Sequence, residues 1–391
     1  MSDIAFGELL SEPLRNGVSY PSRTRGEGAR MVNMREIFAH DRITHEVECE
    51  LVPLTASESR SSILRRGDLL FARQSLTYEG AGKVSLVLDE SGPTWDSHLI
   101  RARVNPARAD SSYLFYFFRS GEGKRRMETI VQQVAAAGIR GSDLARLAVP
   151  SPPLSEQQAI AEVLGALDDK IAANIALATT ADELARAEYA ALEADVVRVG
   201  EVAESPRSGV DPSSVDPGEL YVGLEHVGRR HMWLTDGGRA EDVSSTKSRF
   251  EPGDILFGKL RPYFHKVVGA PRSGICSTDI LVVRSRDEGL SGLLLAALSS
   301  DAVIEEVVAA SEGTRMPRTS WKDLAAVEIR WPTADATSQL ASRLDSIRAG
   351  ALAALAENRT LAATRDALLP QLMSGKLRVR DAEAAASEVG V

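Results

Sequence analysis

The stretch from Pro152 to Leu192, PPLSEQQAIAEVLGALDDKIAANIALATTADELARAEYAAL, constrains the fold more than any other part of the chain. No proline follows Pro153 within it, and apolar residues recur at Ile160, Val163, Leu164, Leu167, Ile171, Ile175, Leu184 and Leu192. Spacings of three and four place these on one stripe of a long helix. Pro152 and Pro153 cannot extend a helix backwards, and Ser155 with Gln158 has the form of a capping box, so the start is expected at Ser155. A helix from there to Asp195 would be roughly 60 Å long at about 1.5 Å per residue, longer than a small domain is wide, which predicts a spacer.

The chain also repeats itself. Gly67-Asp68-Leu69-Leu70-Phe71 returns as Gly253-Asp254-Ile255-Leu256-Phe257, and Ser142-Asp143-Leu144 before Pro150-Ser151-Pro152 returns as Lys322-Asp323-Leu324 before Trp331-Pro332. Asn174, Leu177 and Leu184 match Asn358, Leu361 and Leu368, so the long helix returns too, at about Asp335–Leu369, with a stripe of Leu340, Leu344, Ile347, Leu355, Leu361 and Leu368. Each copy reads as turns and strands, Gly-Asp and an apolar strand, a basic turn, two further strands (Lys83–Leu88 and Leu99–Val104; Lys266–Val268 and Ile280–Val283), helical segments (Tyr113–Phe118; Leu293–Val308), a Gly-x-Arg loop (Gly138-Ile139-Arg140; Gly313-Thr314-Arg315) and a last strand ending at proline. The period is far longer than solenoid repeats, so each copy is a domain followed by a helix. The expected class is α+β: two similar mixed α/β domains joined by two long helices that pack as an antiparallel coiled coil with approximate two-fold symmetry. Expected boundaries are 1–151 and 197–333 for the domains, 152–196 and 334–379 for the helices, and a flexible tail at 380–391.

Charge needs a local reading. The 391-residue chain carries a net charge of -9, but residues 151–195 alone hold nine acidic against two basic residues. The globular parts are near neutral, which leaves a basic face possible. Cys49 and Cys276 lie far apart with no motif around them, which excludes a disulfide framework or cysteine zinc site and fits a reducing cytosol. The opening MSDIAFGELL lacks a secretory pattern and no run reaches membrane-spanning length, so a cytoplasmic, non-membrane protein is expected.

Several of these segments carry a family resemblance. PPLSEQQAIAEVLGALDDKI (Pro152 to Ile171), GDILFGKLRPYFHKV (Gly253 to Val267), CSTDILVVR (Cys276 to Arg284), GTRMPRTSWKDL (Gly313 to Leu324) and RDALLPQLMSGKLRV (Arg365 to Val379) resemble the DNA-specificity subunit of type I restriction-modification systems. The resemblance runs from about Ala5 to Val379 and is looser in the first half, where Phe71-Ala72-Arg73-Gln74 stands against Phe257-Gly258-Lys259-Leu260-Arg261-Pro262. It implies a non-catalytic subunit of a multisubunit methyltransferase and endonuclease, with two target-recognition domains that each read one part of a split double-stranded DNA target. It also implies helices that fix the spacing and dock two methyltransferase (modification) subunits, with restriction/translocase subunits added for cleavage. The chain then needs no cofactor of its own; S-adenosylmethionine, magnesium and ATP belong to the partners. Alternatives are a specificity subunit of another phage-defence DNA-modification system, a protein-interaction scaffold that does not bind DNA, and an unrecognised nuclease.

The residues themselves offer little catalysis. Gly80-Ala81-Gly82-Lys83-Val84-Ser85 lacks the earlier glycine of a phosphate loop and has Val84 where Ser or Thr is needed, so it reads as a strand-connecting turn. His40, His45, His98, His226, His231 and His265 form no metal spacing, and there is no methyltransferase Asn/Asp-Pro-Pro-aromatic tetrapeptide. Asp68 and Asp254 read as turn residues that bond nearby backbone. DNA contact is expected instead from Arg73, Gln74, Lys83 and Arg140 in the first copy and Lys259, Arg261, Lys266 and Arg315 in the second, because long cations neutralise phosphates and Arg or Gln can read base edges. Helix packing is expected from Ile160, Leu164, Leu167, Ile171, Leu344, Ile347, Leu355 and Leu361. Glu156, Glu162, Asp168, Asp169, Asp182 and Glu183 read as a solvated acidic surface or one that meets a basic partner.

Overall fold

The computed structural model describes residues 3–133, 137–192, 194–206, 208–310, 317–332 and 334–391. They form two compact units, Met1–Lys170 with Thr360–Val391, and Ile171–Arg359. Each unit therefore holds one globular copy and part of both long helices.

In the first unit a sheet runs in the order Arg15–Asn16, Leu99–Arg103, Asp68–Ala72, Val84–Val87, Arg42–Ile43. Every residue of Asp68–Ala72 is buried, as a central strand covered on both faces requires. Leu70 and Ala72 join Val32, Ile37, Ile43, Val87, Trp95 and Leu99 in one core. Phe71, on the other face, meets Phe6 and Phe118 edge-on, at ring separations of 5.8 and 5.0 Å.

The second unit repeats the plan. Its central sheet is ordered Ala203–Glu204, Ile280–Ser285, Ile255–Gly258, Val267–Gly269. Alternation along these strands sends residues to two different cores: Ile255, Phe257, Val267, Leu281 and Val283 pack with Leu293–Leu298, while Leu256, Val268, Ile280 and Val282 pack with Phe250 and Cys276. In both copies the entering strand pairs antiparallel with the last one, Asp3–Ala5 with Ala148–Pro150 and Ala194–Arg198 with Glu328–Pro332, which closes each copy on itself. The helical stretch expected at Leu293–Val308 is two helices, Ser291–Leu298 and Asp301–Ala310, and the break leaves the Ser299 carbonyl free to accept from His265 Nε2 at 2.8 Å and from Arg186.

The duplicated Gly-Asp pairs do the same work twice. Gly67 and Gly253 have φ of 88° and 86°, left-handed values that suit glycine. The following carboxylate accepts a backbone N–H three residues back, Arg65 to Asp68 and Glu251 to Asp254, both at 2.8 Å. Its two oxygens also take a forked guanidinium from a neighbouring strand, Arg103 at 2.8 and 2.7 Å and Arg284 at 2.7 and 2.7 Å.

The long helices span Leu154–Ala190 and Ala334–Met373. The first begins one residue before Ser155, so the expected capping box is not the start signal; the prolines' carbonyls serve instead, Glu156 N–H reaching Pro153 O at 2.9 Å and Gln157 Nε2 reaching Pro152 O at 2.9 Å. The second runs past Pro370 into its last turn, where the missing proline N–H disturbs little. Within the first unit Ile160, Leu164, Leu167, Leu361 and Leu368 are buried, and Arg365 Nη1 donates to Asp168 Oδ1 at 2.7 Å. Within the second unit the helices run antiparallel, since Asn174 bonds Asn358 (2.9 Å) while the later Glu188 meets the earlier Arg343 (3.4 Å). Leu344 is buried there, Ile347 and Leu355 pack partly buried against the same core, and Ile171 is half-buried, its carbonyl accepting from Asn358 Nδ2 at 3.2 Å.

Beyond Asn174 the expected stripe holds at Leu192 but not at Ile175 and Leu184. Ala178, Ala181 and Ala185 are buried, whereas Ile175 and Leu184, counted in the stripe, are 52% and 47% exposed. Alanine lets the facing elements approach closely, so the seam follows the small residues. Val379–Glu388, in the stretch expected as a tail, is helical with Ala382 and Ala386 buried.

Candidate nucleic-acid interface

The strand after the Gly-Asp pair delivers one cation in each copy. Arg73 N–H donates to His98 O at 2.8 Å and Arg73 O accepts from Ile139 at 2.9 Å; Lys259 N–H donates to Asp279 O at 2.8 Å and Lys259 O accepts from Thr319 at 3.0 Å. Arg73 and Lys259 are thus equivalent, as are Ile139 and Thr319. It follows that Arg140, at the N-cap of helix Gly141–Arg146, corresponds to Ser320 at the N-cap of Trp321–Ala326. Matching Gly138-Ile139-Arg140 to Gly313-Thr314-Arg315 is therefore corrected by the backbone, and Arg315 itself lies outside the described residues.

Four of the expected contacts are engaged inside the fold, again in duplicate. Arg73 Nη1 lies 3.5 Å from Ser97 O, and Lys259 Nζ donates to the equivalent Thr278 O at 2.7 Å. Lys83 Nζ donates to Phe38 O at 2.8 Å and Lys266 Nζ to Leu224 O, each a carbonyl of the helical turn after an early strand. Burial lowers the pKa of both Lys259 and Lys266 from the ordinary lysine value. Gln74, Arg140 and Arg261 differ: they are exposed.

Arg261 sits in an unusual surface. Arg230, Arg261 and His265 are the non-glycine residues with positive φ among the described residues, and Arg230 N–H donates to His265 O at 2.9 Å. Left-handed backbone at three such residues is costly, and clusters of this kind mark binding surfaces. Tyr263 is 49% exposed, and the Arg229 guanidinium lies 4.0 Å from the Phe264 ring centre. Together Arg229, Arg261 and Tyr263 offer cation and ring to a phosphate or base. Arg229 was not legible in sequence, because it reaches Phe264 from a separate turn.

The acidic residues of the first long helix are partly structural. Asp168 and Asp182 are buried, Asp168 accepting from Tyr116 Oη at 2.7 Å and Asp182 from Arg186 Nε at 2.9 Å, while Asp169 pairs with Arg42 at 2.5 Å. These three anchor the helix within its units, while Glu156, Glu162 and Glu183 are exposed, as a solvated acidic surface requires. Among the described residues no His, Cys, Asp and Glu group could hold a metal ion, and no helix is long and apolar enough to cross a membrane.

A family model described as the type I restriction modification DNA specificity domain matches residues 41–178. The chain is similar to the type I restriction enzyme EcoKI specificity subunit of Escherichia coli (strain K12), with 30% identity over 158 residues, 40% of this chain and 33% of that one. The EcoDI specificity subunit of Escherichia coli is 26% identical over 157 residues, 38% of this chain and 33% of that one. The chain spans about a third of the length of these relatives. Its fold is that of the S subunit of a type I restriction-modification system from M. genitalium, with a TM-score of 0.58, 14% identity and 95% of each chain covered.

Proposed function

We propose that this chain, whose residues 41–178 match the model described as the type I restriction modification DNA specificity domain, is a sequence-specific DNA-binding subunit of a restriction-modification complex. Residues 1–151 and 197–333 each read one part of a two-part duplex target, and the long helices dock methyltransferase and restriction subunits. The chemistry, with its cofactors, resides in those partners.

One observation carries this reading. The two copies share the backbone bonds that fix Arg73 and Lys259, yet carry different residues at the equivalent places beside them: Gln74 in one, Leu260 followed by the exposed Arg261 in the other; Arg140 in one, Ser320 in the other. Shared bonds with unequal side chains beside them suit a target whose two parts differ in sequence.

The test is selection of a randomised duplex library by the full chain with its methyltransferase subunit. Enrichment of two short motifs at a fixed separation is expected. Arg261→Ala should weaken binding across sequences and lower the salt slope by about one. Failure of the wild-type complex to enrich any sequence would overturn the proposal.

A further inference from the structure

In the first unit three short strands form a sheet in the order Gln132–Gln133, Ala137–Gly138, Gln74–Ser75, antiparallel throughout. The register places Gln132 opposite Gly138 and Gly138 opposite Gln74. Residues directly opposite one another share a face of the sheet, so the two glutamines stand on the same side with a residue lacking a side chain between them. Both are exposed. A Cβ on Gly138 would come within 3.0 Å of Arg73 O and 3.5 Å of Gln74 Cγ, so a larger residue would crowd the notch and displace Gln74. Leu76, two residues after Gln74, is 100% exposed.

A lone exposed leucine is ordinary on a protein surface; two residues from an exposed carboxamide it completes a recognisable chemistry. Glutamine can pair bidentately with adenine N6 and N7, and apolar side chains contact the thymine methyl. Two strand spacings separate Gln74 from Gln132 by about 9.5 Å. At about 3.4 Å per base step that is two to three base pairs.

We infer that Gln74 and Gln132 read two adenines two to three base pairs apart in the half of the target bound by residues 1–151, with Leu76 against a thymine methyl in the same half. This rests on the DNA-reading function proposed above. The equivalent place in the second copy cannot read this pattern, because Leu260 bridges Arg318 there and Arg318 Nη2 is held by Asp279 at 2.7 Å.

The experiment is the same library selection with wild type, Gln132→Ala, Gln132→Glu and Leu76→Ala, each as full chain with methyltransferase. Wild type should enrich two A·T pairs two to three positions apart in one half-site. Gln132→Ala should reduce discrimination at one of them by ~5- to 150-fold. Gln132→Glu should shift that position toward C·G, since a carboxylate accepts from cytosine N4. Leu76→Ala should relax one thymine preference. The other half-site, unchanged in every variant, reports that the protein is folded. A wild-type half-site without A·T pairs, or Gln132 variants that keep the full wild-type motif, would overturn the inference while leaving DNA reading intact. No enrichment by wild type would overturn DNA reading and this inference with it.

Discussion

Replacing Asp254 tests whether the duplicated Gly-Asp-Arg bracket holds each copy together. The carboxylate side chain is 1% exposed and accepts three bonds, from Glu251 N–H at 2.8 Å and from Arg284 Nε and Nη2 at 2.7 Å. Removing one partner of a buried pair costs about 3–5 kcal/mol, because the other is left uncompensated. Arg284 is 39% exposed and can turn partly to water, which places Asp254→Ala near the lower end, at about 3 kcal/mol. Asp254→Asn keeps one acceptor for the Glu251 N–H but loses the charge, so about half that loss is expected. A single unfolding midpoint is ill-defined for a chain of two units, and hydrogen exchange resolved by segment is the better assay. Amides of Ile255–Gly258 and Ile280–Ser285 should exchange about 150-fold faster in Asp254→Ala, the equivalent of ~3 kcal/mol. Those of Asp68–Ala72, in the other unit, should not change. Acceleration below about threefold in the second unit, or equal acceleration in the first, would refute the bracket as a local fastener.

Acid should loosen the first unit through Glu12. Its carboxyl is lowered from 4.5 to about 2 by hydrogen bonds from Arg101 and Arg103, so its contribution is full above pH 4.5 and lost as pH falls toward 2. Glu12→Gln should flatten the stability profile in that window, and an unchanged acid limb in exchange of Leu99–Arg103 would count against it. In the second unit, Asn174 is 5% exposed and bonds Asn358, the residue matching it in the repeat. Buried asparagine fixes helix register at a cost in stability, so Asn174→Leu with Asn358→Leu should slow amide exchange in the helix turns around both positions and yield mixed species on size exclusion. Faster exchange there with a single species would contradict that role.

The long helices, the repeat, and the turn character of Asp68 and Asp254 were legible because they rest on local periodicity and local bonding. What completes the aspartate bracket was not: Arg103 and Arg284 arrive from other strands, and no spacing in the sequence announces them. The outward turn of Ile175 and Leu184 was hidden for a related reason. A stripe is found by counting apolar residues, but the buried seam past Asn174 is set by alanines that allow close contact, and the larger side chains are displaced from it. A shared Gly-x-Arg pairs Arg140 with Arg315 in the sequence, whereas the backbone bonds of Ile139 and Thr319 align it with Ser320.

Repetition alone therefore does not single out the residues that read the target. A cation repeated in both copies has a bond to make within the frame: Arg73 and Lys259 reach the carbonyls of Ser97 and Thr278, and Lys83 and Lys266 those of Phe38 and Leu224. Readout should lie where the copies part, at Gln74 against Leu260, Gly138 against Arg318 and Arg140 against Ser320. Two substitutions separate these views. Arg73→Lys should leave target preference intact, because Lys259 already makes the equivalent bond with a lysine. Arg140→Ser installs what the second copy carries at an N-cap, so the helix Gly141–Arg146 should gain a capping side chain while DNA affinity falls. Altered target preference in Arg73→Lys with undiminished affinity in Arg140→Ser would place recognition in the shared frame after all.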